Sequence, residues 1–79
     1  MKQVTYHNRY GDNIIFKEVD STTVIMYGFE YYRMGDDFID PSGGPYIQIG
    51  TDIGRYFDDG KERRVKSIKV IEGKAIFTI

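Results

Sequence analysis

Apolar and polar residues alternate with a period of two along much of this 79-residue chain. Nowhere do apolar residues recur at i, i+3, i+4 and i+7 for long enough to build an amphipathic helix of normal length. The plainest signal lies between Val65 and Ile79, where two β-rich runs flank Glu72-Gly73. Glycine supplies the positive φ that a two-residue hairpin turn demands. With the turn there, Val70 falls opposite Ala75 and Ile68 opposite Phe77, so Ile68, Val70, Ala75, Phe77 and Ile79 share the buried face. Ser67, Lys69, Lys74 and Thr78 take the other face together with Ile71 and Ile76, an apolar pair that needs a cover.

Gln3 to His7 and Asn13 to Val19 alternate in the same way around the turn residues Tyr10-Gly11-Asp12-Asn13, which predicts a second hairpin. The β-branched and aromatic run Thr22 to Tyr27 predicts a further strand, continued past Gly28 by Phe29 to Arg33, with the glycine at a bulge or bend. Between Gly35 and Gly60 six glycines and both prolines leave only Tyr46 to Ile49 with a strand pattern, and Asp52 to Phe57 can make one helical turn. The expectation is an all-β single domain over residues 1–79: a small, strongly bent antiparallel sheet closed as an SH3-like barrel or a compact sandwich. A dimer that completes its sheet between chains is the alternative, since a chain this short gains from oligomerisation.

Composition narrows the function classes. Eleven cations against twelve carboxylates give a net charge of −1, which argues against a wholesale polyanion binder. Without cysteine there is no disulfide framework, thiolate metal site or cysteine nucleophile. No apolar stretch approaches the roughly 20 residues that span a bilayer, and Met1-Lys2-Gln3-Val4-Thr5 is not a secretory leader, so a cytoplasmic location is expected.

Candidate chemistry is sparse. The only histidine, His7, has no nucleophile or ligand signature beside it and reads as a rim residue. Asp36, Asp37 and Asp40, and the pair Asp58-Asp59 before Gly60, lack the ligand spacing of a calcium loop and read as turns, so neither a metal nor a cofactor is expected. Ser42-Gly43-Gly44 and the segment Gly50 to Arg55 can each form a nest of backbone N–H groups for an anion, with Thr51 and Arg55 as further donors, although neither has the spacing of a nucleotide fingerprint. From Lys61 to Lys74 six cations face two carboxylates, a local +4 that leaves −5 on the first sixty residues. Arg63, Arg64, Lys66 and Lys69 can therefore contact a nucleic-acid backbone, or equally guard a sheet edge against aggregation. Seven tyrosines favour a binder over a catalyst, and Tyr31, Tyr32, Tyr46 and Tyr56 are the candidate contacts.

The stretch Asp40-Pro41-Ser42-Gly43-Gly44-Pro45-Tyr46-Ile47, followed by Gly50-Thr51-Asp52 and the final hairpin, resembles a segment of short bacteriophage-encoded proteins, and Thr5 to Asp12 resembles their first strand and turn. The resemblance covers roughly the C-terminal half and carries no catalytic residues. It implies a viral origin, the host cytoplasm as location, and a stoichiometric action on host machinery. Three functions follow as expectations. The first is a non-enzymatic protein that counters host antiviral defence by binding a host protein. The second is an oligomeric sponge for a nucleotide immune signal, with Ser42, Gly43, Gly44, Gly50, Thr51 and Arg55 on phosphates and Tyr46 or Tyr56 on a base. The third is a nucleic-acid module using Arg63, Arg64, Lys66 and Lys69.

Overall fold

A computed structural model of the chain describes residues 2–35 and 37–79, and of 31–34 the backbone alone. In chain order the strands are β1 (Gln3–His7), β2 (Asn13–Asp20), β3 (Thr23–Tyr27), β4 (Tyr31–Met34), β5 (Phe38–Pro41), β6 (Ile47–Gln48), β7 (Ser67–Ile71) and β8 (Lys74–Thr78), with a 3-10 turn at Ile53–Tyr56. The protein is all-β. Two antiparallel sheets, ordered β1-β2-β3-β8-β7 and β4-β5-β6, enclose one core built from both.

The hairpins predicted at either end are present, the C-terminal one in the predicted register. Val70 pairs with Ala75 and Ile68 with Phe77 across a turn in which Glu72 (φ 50°) and Gly73 (φ 76°) both take positive φ, the geometry that matches strand twist. Ala75, Phe77 and Ile68 are buried, and Val70 and Ile79 pack against the core from partly buried positions. β1 pairs with β2 from Gln3–Lys17 to His7–Asn13, which leaves His7 exposed at the strand's end. At Gly28 (φ 87°) the chain leaves β3 for the small sheet.

The middle of the chain holds more strand than its composition suggested. Phe38–Pro41 forms the central strand of the small sheet, pairing with β4 on one side and β6 on the other, while β6 itself is shorter than the predicted Tyr46 to Ile49 run. Pro41 fits because it pairs with Tyr31 at the irregularity between Tyr31 and Arg33, a bulge position that tolerates a missing N–H. The 3-10 turn begins at Asp52, whose carboxylate accepts the Gly54 N–H at 2.9 Å and the Arg63 N–H at 2.7 Å. Gly54 is required here, since a Cβ would collide with the Lys61 carbonyl.

Two sets of hydrogen bonds tie the sheets together. Residues 63–65 run beside residues 50–53: Gly50 donates to the Val65 carbonyl (2.8 Å), Val65 to that of Thr51 (2.9 Å) and Ile53 to that of Arg63 (2.8 Å). Residues 63–65 then lead into β7, so the strap links the segment after β6 to the large sheet. Separately, Arg9, just beyond β1, donates to the Gly43 carbonyl (3.1 Å), just beyond β5. The ladders thus form two antiparallel sheets joined at two places, within the expected all-β class.

Candidate interaction surface

The glycine-rich corner is built around a residue that the sequence reading passed over. Asn8 is buried, at 6% exposure, and its amide satisfies four groups. Its Oδ1 accepts the N–H groups of Tyr10 (3.0 Å) and Asp12 (2.8 Å), while its Nδ2 donates to the Ser42 carbonyl (2.9 Å) and to the Asp12 carboxylate (3.1 Å). The first of these is an Asx turn, and Gly11 closes the turn by donating to the Asn8 carbonyl at 3.0 Å. A local signal for it exists: Asn at the first position of a turn with Gly at the fourth is the Asn8-Arg9-Tyr10-Gly11 pattern.

This clamp fixes the turn that carries Tyr10. Tyr10 is 64% exposed, its ring lying against Gly43 and near the Arg9 guanidinium, 5.9 Å from the ring centre. Across the Gly44–Pro45 bond, which is cis, Tyr46 is 50% exposed and stacks on Phe38 at 5.7 Å between ring centres. The side chains of Tyr31 and Tyr32 lie outside the described residues.

Several backbone donors in the two predicted nests are already engaged within the fold. Ser42 donates to the Glu30 carbonyl (2.7 Å) and Gly44 to that of Pro41 (3.1 Å). Gly50, Thr51 and Gly54 donate to Val65, Gln48 and Asp52, and the Thr51 hydroxyl accepts the Gln48 N–H at 3.1 Å. The two segments have different partners and do not share one cradle. Arg55 is exposed beside a shallow hollow of about 460 Å³ where Asp52, Asp58 and Glu62 outnumber Arg55 and Lys61, a poor field for phosphate. Tyr56 belongs to the core margin: its ring stacks on Phe16 at 4.9 Å and meets Tyr6 edge-on at 5.2 Å. Burial pushes its phenol pKa up.

The basic run divides. Arg63 is 3% exposed, with both guanidinium ends on Asp59 (2.9 and 2.8 Å), its Nε on Glu18 (2.7 Å) and its plane 4.0 Å from the centre of the Phe57 ring. The guanidinium holds Asp59 far below the usual carboxylate range and lowers Glu18 as well. Arg63 is therefore a core residue, and its placement in a nucleic-acid contact is corrected. Arg64 is exposed but engaged, donating to the Gly50 carbonyl (2.6 Å) and to Glu62 (2.8 Å). Only Lys66 and Lys69 of the four stand exposed without a described ion pair.

Asp59 is also 3.4 Å from Lys2, so that acid neutralises cations within the fold, whereas Asp58 is exposed at a left-handed turn position. Among the described residues no group of three histidine or acidic side chains is placed to hold a metal ion. Asp36 lies outside the described residues. Among the described residues, no helix is long and apolar enough to cross a membrane. No family model matches the chain, nor does any curated protein or solved structure.

Proposed function

We propose that this chain is a non-enzymatic, phage-type binding protein that counters host antiviral defence by occupying the surface of a host protein in the host cytoplasm. The observation that supports this reading most is the exposure of two aromatic side chains, Tyr10 at 64% on the Asn8-clamped turn and Tyr46 at 50% stacked on Phe38. Large aromatic side chains with polar tips give much contact area, and fixing them beforehand lowers the ordering cost of association. Contact passes from the predicted Tyr56, which the core uses, to Tyr10.

The test is phage plating on bacteria that each carry one defence system, with wild-type protein or the Tyr10→Ala/Tyr46→Ala variant expressed. Wild type is expected to restore plating on one strain and to co-purify in fixed stoichiometry with a protein of that system. The double variant should melt within a few degrees of wild type and lose at least tenfold of the restoration. Restoration without any protein partner, with a few hundred daltons of ligand retained per subunit in native mass spectrometry, would overturn the reading in favour of nucleotide sequestration.

A further inference from the structure

The outward face of the five-stranded sheet carries a separate signal. Strand registers place its side chains in rows across the strands. One row runs Gln3, Lys17, Ile25, Ile76, Lys69, and the next runs Thr5, Ile15, Tyr27. Lys74 and Ile71, paired with each other at the hairpin end, extend the second row. An aliphatic centre is thus bordered by lysines on β2, β7 and β8. Ile15, Ile25, Tyr27 and Ile76 are only partly buried, and Ile71 is 42% exposed. Beside the bulge that shifts the register between Glu18 and Asp20, Lys17, Val19, Ile25, Tyr27 and Lys74 line a hollow of about 220 Å³.

Cations outnumber acids on this face, where Asp20, opposite Thr23 at the far end of β2, is an exposed carboxylate. Lys17, Lys69 and Lys74 point outward, while the β2 carboxylate at Glu18 alternates inward to Arg63. Asp20, at the strand's end, accepts hydrogen bonds from the Thr22 N–H and hydroxyl. In a chain of net charge −1 this is a local cationic surface around an apolar centre.

We propose that this face is a second docking surface, for an acidic protein element that inserts one apolar side chain into the hollow beside Ile25 while its carboxylates meet Lys17 and Lys74. Charge complementarity selects this occupant, because two copies stacked through the same face would set lysines against lysines. Nucleic acid would supply anions but finds one aromatic ring among isoleucines where base stacking needs several. A lipid surface takes apolar groups that protrude, whereas Ile15, Ile25, Tyr27 and Ile76 at the centre of this face are partly buried.

An isotope-labelled sample of the full chain, titrated in an NMR experiment, tests the assignment. The probes are a 14-residue helical peptide of leucine and glutamate, its lysine-for-glutamate counterpart, a 20-base single-stranded DNA and vesicles with anionic lipid. The glutamate peptide should shift the amides of Lys17, Ile25, Tyr27 and Ile76, and weaken severalfold between 50 and 300 mM salt. Lys17→Glu/Lys74→Glu, at two exposed positions, should cost at least tenfold in affinity while the amide spectrum stays dispersed. Equal response to the lysine peptide, or no response of these amides to the glutamate peptide, overturns the proposal. So does tighter engagement of the same amides by DNA or vesicles, or concentration-dependent shifts of the protein alone. Tyr10 and Tyr46 are unchanged throughout, so the outcome is independent of the corner.

Discussion

Arg63 and Lys69 stand six residues apart in one basic run, carry the same charge, and have opposite surroundings. Arg63 is enclosed by Glu18, Asp59 and Phe57, whereas Lys69 points out from β7 beside Ile76. The difference lies in geometry as much as in charge. A planar guanidinium can satisfy two carboxylates and lie against a ring at once, which an ammonium cannot, so arginine is the cation that tolerates an interior position. A run of positive charge is therefore two populations, one structural and one available.

The largest way to break that contrast is to truncate both residues. Arg63→Ala strands Glu18 and Asp59 and removes the cover over Phe57, and should cost about 3 kcal/mol in urea unfolding; Lys69→Ala should stay within about 0.5 kcal/mol. Similar losses at the two positions would dissolve the distinction. Asp52 sharpens it, because it fixes the backbone of Arg63 as well as the 3-10 turn. Asp52→Ala should cost about 1–2 kcal/mol, as loss of a cap that also satisfies a second N–H does, with hydrogen exchange accelerated at Gly54 and Arg63 and little changed in β1.

A smaller effect appears with pH. Glu18, Asp52 and Asp59 all have folded-state pKa values below their ordinary 4.5 and 3.8. Their stabilisation is complete above those ordinary values and is lost as pH falls through the lowered ones. Thermal melting should therefore be nearly flat from pH 7 to 5 and decline by several degrees towards pH 3, and the decline should shrink in Arg63→Ala. A wild-type melting temperature that rises on acidification would contradict the assignment.

Legibility in the sequence followed the range of the interactions. The β7–β8 hairpin could be read to the residue because its turn, register and buried face are all set within fifteen positions. β5 escaped because its alternation lasts four residues and ends on Pro41, next to glycines that look like loop chemistry. Arg63 was misplaced because its partners lie four and 45 positions away, at Asp59 and Glu18, and nothing local distinguishes it from Arg64. Tyr56 was offered to a ligand for the same reason, since Phe16 and Tyr6 meet it only in the folded chain. Asn8 carried a readable turn signal, but its bond to Ser42 crosses 34 positions.

The strap of residues 63–65 has a thermodynamic corollary. It hydrogen-bonds to residues 50–53, the segment that follows β6, and continues into β7 at the edge of the large sheet, so unfolding of the small sheet together with its outgoing segment leaves the strap's backbone groups unpaired. Binding and stability are then linked across the whole molecule: an occupant of either sheet raises the free energy of unfolding by RT ln(1 + [L]/Kd) for both, and two occupants that never touch still protect one another's sites.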